Sequence, residues 1–346
     1  MALHFFDGFD ARVPTLGYGK WTNQIAPAAF DTGRVGGSSL RIAGSPYGSG
    51  AGLQYILSSG SINEWVMGMA CYEAASPYYD IPLLSFHTGT NPSSFELQIQ
   101  HGNGGYVKVV RGDNVVLGQT SQPVFLPVRW LYLEVKVKIA ADTTGYVTVR
   151  VDGSVVLNLT GVRTAASASP AVNMVMMGAY LGNINFNLLV DDFYLCDTTG
   201  TSFNDFLGDV VVYTQVPTAD ATYNDWTPNT GTNRYSCVQE IPPDGDTTYI
   251  YTSSDLAKQT FTFPALSNIN VLAVQFSAQA RKDDSTTRYL KLIGKLGASE
   301  VISSAFTLSN SYLYNVMKFI NAPDGTPWTL TKLNSCEFGV MHTLAP

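Results

Sequence analysis

The sequence predicts an all-β protein of two antiparallel β-sandwich or jelly-roll domains. Apolar and polar residues alternate with a period of two, not 3.6, in most segments. Clusters of Gly, Asp and Asn separate these segments at intervals of 8–12 residues, as in sandwich folds. No window of 12 residues carries a capped helical stripe. The 346 residues, 45% hydrophobic and only 14% charged, can build large cores and indicate about two domains.

The first half contains a regular series of predicted strands. The earliest are expected at 39–42, 52–57, 64–73, 83–87 and 95–101. Two hairpins follow, one over 104–120 around Gly112-Asp113-Asn114 and one over 145–161 with Asp152-Gly153 at its turn. Between the hairpins, 129–139 alternates apolar and charged residues, which indicates a half-buried strand. The last alternating segment, 183–197, ends in a polar turn cluster.

The polar, turn-rich stretch after Cys196 predicts a domain boundary. The expected domains are 1–199 and 200–346. A second series of strands is predicted at 206–216, 260–266, 269–283, 286–296, 300–308, 312–320 and 336–342. The long irregular segment 217–250 lies among them, and we expect Trp226 and Tyr249 to pin it.

Charge and cysteine usage exclude several classes of protein. The net charge is −7 and basic residues are not clustered, which argues against a nucleic-acid partner. No run of 18 apolar residues predicts a membrane span, and the N-terminus lacks the pattern of a signal peptide. The four cysteines are irregularly spaced and form no CxxC pair; they are Cys71, Cys196, Cys237 and Cys336. Reduced, partly buried thiols are therefore expected, and disulfide bonds are the alternative.

Motifs for catalysis or cofactor binding are missing from the sequence. There is no GxSxG, HExxH or P-loop pattern, and no cofactor is expected. Weak candidates for a metal site are Asp7 and Asp10, together with Asp191 and Asp192 on a strand that could lie beside them. The alternative is that Asp7 makes a turn and the other three aspartates lie on the surface. We therefore predict that the chain has no metal site.

Candidate binding residues are aromatic or basic. Tyr78 and Tyr79 lie in a polar, turn-rich stretch that suits either a glycan or a protein contact. Trp226 and Trp328 stand beside prolines and could be interface anchors, sugar platforms or packed lids. Arg281 and Lys282 belong to the densest charge cluster, at an expected hairpin tip that is either solvated or in contact with a neighbouring subunit.

Both halves resemble parts of tailed-bacteriophage virion proteins. The opening strand 3–10, the stretch 33–42, the strand from Trp130 and the closing 190–197 resemble a concanavalin A-like (laminin-G-like) jelly roll. In such folds the first and last strands commonly pair, which would bring Phe9 near Phe193. The second half resembles a segment of phage virion proteins of unassigned role, through residues 206–231, 280–292 and 323–340.

Because concanavalin A-like folds include glycoside hydrolases, paired carboxylates are the decisive feature. These enzymes place two carboxylates on one strand in an ExDxE or ExDxxE pattern, which the sequence lacks. Asp191 and Asp192 are adjacent, so a regular strand would point them to opposite faces. The sequence therefore predicts no enzyme.

The resemblance implies a non-enzymatic structural component on the exterior of a tailed-phage virion, either tail- or fibre-associated or a capsid decoration. It would be made in the bacterial cytoplasm and would contact other virion proteins and copies of itself, with no nucleic acid or membrane as a partner. The alternative is a glycan-binding host-attachment module. A third hypothesis is that the chain is a glycan-degrading enzyme. The sequence leaves the host, the copy number and the placement on tail or capsid open.

Overall fold

A computed structural model describes residues 3–11, 17–18, 20–25, 29–43, 52–74, 80–178 and 187–346. The described residues are almost all strand and irregular structure, with one short α-helix and one turn of 3-10 helix. The antiparallel all-β prediction is confirmed. None of the helices in the described residues is long and apolar enough to cross a membrane.

The chain divides into two compact units. Unit 1 comprises Met1–Pro14 and Lys20–Tyr213, and unit 2 comprises Thr15–Gly19 and Thr214–Pro346. The division after Tyr213 lies 14 residues beyond the expected boundary at 199/200, because the intervening residues bond to unit 1.

Sixteen strands precede the division. They are β1 (Leu3–Asp7), β2 (Gly17–Tyr18), β3 (Asn23–Ile25), β4 (Ala29–Thr32), β5 (Ser38–Ala43), β6 (Gly52–Ile56), β7 (Glu64–Glu73), β8 (Ile81–Thr88), β9 (Leu97–Gly102), β10 (Tyr106–Arg111), β11 (Val116–Gln119), β12 (Trp130–Lys138), β13 (Gly145–Val151), β14 (Ser154–Val162), β15 (Val172–Gly178) and β16 (Asn187–Asp197). All except β2 build unit 1.

Two antiparallel sheets form the sandwich of unit 1. The eight-stranded sheet has the order β14-β13-β12-β7-β16-β5-β4, with β1 also paired to β16. The seven-stranded sheet has the order β11-β10-β9-β8-β15-β6-β3. Alternate residues of both sheets, such as Val135, Phe86 and Ile99, are fully buried. The core therefore lies between the two sheets, as the period of two dictates.

Local sequence signals set the edges of unit 1. Asp152 and Gly153, with φ of 48° and 78°, form the predicted turn of the β13–β14 hairpin, where two positive φ angles favour Asp-Gly. The opening and closing strands pair as the resemblance implied, with Asp7 opposite Phe193. The rings of Phe5 and Phe193 lie 5.6 Å apart in the core.

Unit 2 contains β2 and ten further strands. These are β17 (Ala219–Asn224), β18 (Thr227–Pro228), β19 (Ile250–Tyr251), β20 (Lys258–Thr262), β21 (Val274–Ala280), β22 (Tyr289–Leu296), β23 (Ser299–Ile302), β24 (Phe306–Thr307), β25 (Leu313–Phe319) and β26 (Glu337–Thr343). The 3-10 helix spans Tyr235–Cys237, and α1 spans Leu330–Asn334.

The strands of unit 2 form three sheets. The six-stranded sheet has the order β17-β20-β26-β22-β23, with β24 on β22, and the three-stranded sheet has the order β2-β25-β21. Strands β18 and β19 pair separately. Phe319, Trp328 and Phe338 are buried in the core of this unit.

Two predicted elements of the second half are wrong. Residues 206–216 form no strand, and the amides of Leu207, Gly208 and Val212 bond to side chains of unit 1 instead. The expected hairpin with Arg281 and Lys282 at its tip does not form, since β21 pairs with β25 whereas β22 pairs with β26. Strong strand patterns in neighbouring segments predicted the strands but not their partners.

The four cysteines are buried free thiols, as expected. Burial raises the pKa of Cys71 far above its usual range and that of Cys336 to about 12. Both thiols are therefore uncharged and unreactive at neutral pH.

Candidate functional site

Strand register assembles a row of uncharged polar side chains across the seven-stranded sheet. Ser85 of β8 stands opposite Gln98 of β9 on one side and Met176 of β15 on the other. Met176 in turn stands opposite Gln54 of β6, which stands opposite Asn23 of β3. Directly opposed residues share a face of a sheet, so these side chains point the same way.

The row lies on the outer face of the sheet, away from the core. Tyr55, next to Gln54, points inward, since its ring lies 5.2 Å from that of Phe5 in the opposite sheet. His101 also points inward, where its Nε2 lies 3.1 Å from Glu73 of β7. Neighbouring residues of a strand alternate between faces, so Gln54, Gln98 and Gln100 point outward. We call this surface the polar face and define it by Asn23, Gln54, Ser85, His87, Gln98 and Gln100.

Hydrogen bonds fix the side chains of the polar face. Nδ2 of Asn23 donates to Oε1 of Gln54 (3.0 Å), and Nε2 of Gln100 donates to Oε1 of Gln98 (2.9 Å). Among the described residues, Nε2 of Gln98 and Oε1 of Gln100 have no further hydrogen-bond partner. One donor and one acceptor therefore lie side by side on a rigid sheet.

Ser85 and His87 form a fully buried pair at the centre of the polar face. Nδ1 of His87 donates to the Ser94 carbonyl (2.6 Å), which leaves Nε2 to accept the hydroxyl of Ser85 (2.7 Å). Burial lowers the pKa of His87, so the imidazole is neutral at pH 7. The pair holds the centre of the face in one conformation.

Most of the polar face is buried, since Gln54, Ser85 and His87 are at most 2% exposed. Asn23 is exposed and Gln100 is half-buried, whereas Gln98 is 7% exposed. Lys108 stands opposite Gln100, and Asp80 holds its ammonium group at 2.5 Å. We therefore expect a ligand to contact Gln98 and Gln100 through uncharged groups.

The structure places both candidate tryptophans within unit 2. Trp328 is 6% exposed and donates to the Phe319 carbonyl (2.8 Å). Trp226 packs against a second core cluster and donates to the Ala257 carbonyl (3.1 Å). Trp328 thus has the packing of a core residue, and Trp226 pins the irregular segment as expected.

The candidate basic residues are bound to their own chain. Both Nε and Nη2 of Arg281 donate to Asp246 (3.1 and 2.8 Å), and its guanidinium lies 5.3 Å from the Tyr312 ring centroid. Lys282 donates to the Thr286 carbonyl (2.5 Å). Tyr78 and Tyr79 lie outside the described residues.

The four weak metal candidates have protein partners. Asp7 accepts hydrogen bonds from Trp21 and lies 3.0 Å from Lys20, and Asp10 accepts one from the Ser38 amide. Within the described ranges, no group of three His, Cys, Asp or Glu residues is placed to hold a metal ion.

Asp191 and Asp192 are both buried, so the expectation that they lie on the surface is wrong. They form an irregularity in β16, where the partner strand changes from β5 to β1, and Asp192 has a φ of 51°. Burial is the main cause that raises the pKa of Asp191 to about 7 and that of Asp192 to about 6. Arg34 opposes the rise at both sites.

Comparison with known proteins gives structural neighbours only. No family model and no curated protein matches the sequence. An endo-β-1,4-glucuronan lyase from the fungus Trichoderma reesei is 14% identical, with a TM-score of 0.41 over 56% of this chain and 95% of that chain. An alginate lyase from a Chlorella virus is 12% identical, with a TM-score of 0.43 over 57% and 98%. Domain 4 of an extracellular arabinanase from Geobacillus stearothermophilus, in complex with arabinotriose, is 14% identical, with a TM-score of 0.43 over 57% and 92%.

These neighbours correct the predicted function. They are glycan-acting proteins, so the prediction of a non-enzymatic virion component is wrong, as is the prediction that the chain is no enzyme. The glycan-binding alternative is favoured instead. The resemblance to phage proteins, the partners and the location stay predictions.

The residues of the polar face were not singled out from the sequence. Each strand contributes only one or two of them, and only the register brings them together. The alternation Leu97-Gln98-Ile99-Gln100 was the available signal, because two amides on one face of a strand with a buried opposite face indicate a polar surface.

Proposed function

We propose that unit 1 binds an uncharged glycan on the polar face, at Gln98 and Gln100. The observation that carries this proposal is the adjacent free amide donor of Gln98 and free carbonyl acceptor of Gln100. A sugar hydroxyl both donates and accepts a hydrogen bond, and vicinal hydroxyls present these functions in pairs. The two glutamines match that pattern without charge.

The sheet supplies the rigidity that such recognition requires. Gln98 and Gln100 stand on β9, which pairs on both sides with β8 and β10. Their side chains are already bonded to each other, so little rotamer freedom is lost when a ligand binds. A site built from polar groups of fixed position discriminates strongly between ligands that have and lack the matching hydroxyl.

Electrostatics favour an uncharged ligand at this face. Lys108 is neutralised by Asp80, and His87 is uncharged because burial lowers its pKa. A carboxylate-bearing ligand would lose hydration here without meeting a free cation. The similar arabinanase domain, which was solved in complex with arabinotriose, is compatible with this proposal.

Binding of the full chain to a glycan array tests the proposal. We expect retention by neutral oligosaccharides and at least a tenfold loss for Gln100→Ala, which removes a half-buried amide. Gln98→Met keeps the side-chain volume and should give a similar loss. Asn158→Ala, which removes an exposed amide from the other sheet, is the control. Absence of binding to every neutral glycan, or unchanged binding by both glutamine variants, would contradict the proposal.

A further inference from the structure

An irregular segment crosses the outer face of the eight-stranded sheet. We call residues 205–212 the covering segment. Its amides donate to side chains of the sheet: Leu207 to the Tyr194 hydroxyl (3.2 Å), Gly208 to Glu134 (2.8 Å) and Val212 to Asp192 (2.8 Å). The segment is thus bound as an extended ligand would be, by side chains rather than by pairing with a strand.

The floor beneath the covering segment is aromatic. Glu134 of β12 stands opposite Gly68 of β7, which stands opposite Tyr194 of β16. A Cβ atom on Gly68 would lie 2.3 Å from Cε1 of Tyr194 and 2.9 Å from Cε1 of Tyr132. The glycine therefore leaves room for both rings at the centre of the face.

Two cations outside the covering segment hold its acidic groups. Lys136 binds Asp205 (3.1 Å), and Nη2 of Arg34 binds Asp209 (2.7 Å). Asp205 and Asp209 are more than half exposed, whereas Arg34 is 14% exposed. The carboxylates thus come from an exposed segment, whereas Lys136 belongs to β12 and Arg34 to the connection between β4 and β5.

Two charged groups under the segment have unused bonding capacity. Arg150 lies 4.0 Å from the Phe206 ring centroid, and its Nε is buried without a hydrogen-bond partner. Oε2 of Glu134 is likewise buried. Within the described part of the chain, neither this atom nor Nε of Arg150 has a hydrogen-bond partner. A donor and an acceptor therefore remain for a ligand that replaces Phe206.

We propose that this face is a binding site for a carboxylate-bearing glycan, and that the covering segment occupies it within the chain. A uronic acid polymer repeats the functions that the segment presents. Its carboxylates would meet Lys136, Arg34 and Arg150, and its hydroxyls would donate to Glu134 and Asp192. Tyr132 and Tyr194, which are buried beneath the segment, would contact the sugar rings. The site is on the opposite sheet from the polar face, so the two sites can be tested separately.

Weakening the covering segment tests this site. The double variant Asp205→Ala/Asp209→Ala frees two cations at exposed positions. In affinity electrophoresis of the full chain at low salt, we expect at least fivefold tighter retention by alginate and no change with dextran. Adding Lys136→Ala should remove most of the gain. Asp142→Ala/Asp283→Ala makes the same change in net charge at exposed positions elsewhere and should give no gain.

Three results would overturn the site. The first is unchanged retention by alginate in both the double variant and a triple variant that also carries Phe206→Ala. The second is an equal gain in the control variant, which would assign the effect to net charge. The third is a gain that persists with Lys136→Ala. Gln100→Ala should leave alginate retention unchanged, so this test does not depend on the polar face.

Discussion

Glu134 and Arg150 stand directly opposite each other on β12 and β13, yet each charged group meets a different partner. Arg150 stacks on Phe206 at 4.0 Å, whereas Glu134 accepts hydrogen bonds from the Tyr194 hydroxyl (2.7 Å) and the Gly208 amide. The covering segment therefore determines how the charges of this face are paired.

The contact between Phe206 and Arg150 should contribute measurably to stability. Phe206→Leu keeps an apolar side chain but removes the aromatic face, and we expect a loss of about 0.5–2 kcal/mol in the free energy of unfolding. A double-mutant cycle with Arg150→Met in urea isolates the pair. A coupling energy of zero would show that the stacking contributes nothing.

Gly68 should not tolerate a methyl group. The Cβ of Gly68→Ala would overlap the Tyr194 ring, and overpacking of this kind costs about 1–3 kcal/mol. Urea denaturation measures the loss. Gly118→Ala is the matched control, because the atoms nearest its Cβ belong to the mobile end of the Leu159 side chain. Equal stability of both variants would contradict the packing described for Tyr132 and Tyr194.

Unit 1 should lose stability as the pH rises from about 4 to 7. Burial raises the folded-state pKa of Asp191 to about 7 and of Asp192 to about 6, so the folded state binds more protons than the unfolded state in this range. Stability then falls with pH, by an amount on the order of a few kcal/mol. Asp191→Asn should flatten the profile of unfolding free energy, whereas Asp142→Asn at an exposed site should not. A slope unchanged by Asp191→Asn would contradict the raised pKa.

Trp328 should matter for folding rather than for an interface. Trp328→Ala is expected to destabilise unit 2 by about 3–5 kcal/mol, because it empties a buried site. Tyr251→Ala, at a side chain that is 52% exposed, should change stability by less than about 0.5 kcal/mol. Thermal denaturation compares the two variants. A small effect of Trp328→Ala would contradict its place in the core of unit 2.

The strands of unit 1 could be predicted because their signals are local. Alternation over 145–151 and the pair Asp152-Gly153 specify a hairpin without reference to the rest of the chain. Residues 206–216 were predicted wrongly for the same reason. Val210, Val211 and Val212 have strong strand propensity, but Gly208 has a φ of 83° and the neighbouring amides bond to Glu134 and Asp192. Tertiary contacts override propensity there.

The polar face could not be predicted, since it is a product of register. Gln54, Ser85 and Gln98 lie on three different strands, and each strand supplies only one or two residues of the polar face. A shift of one residue in any of these strands would turn its side chain into the core. The sequence specifies the alternation within each strand, and only the assembled sheet aligns the strands.

Titration of the full chain with a neutral oligosaccharide selected from the glycan array tests the central claim most directly. Isothermal calorimetry of the wild type, Gln98→Met, Gln100→Ala and the control Asn158→Ala should give one site per chain. The account predicts at least tenfold weaker binding for both glutamine variants, with thermal stability close to that of the wild type, and unchanged binding for the control. Equal affinity in all four proteins would contradict it.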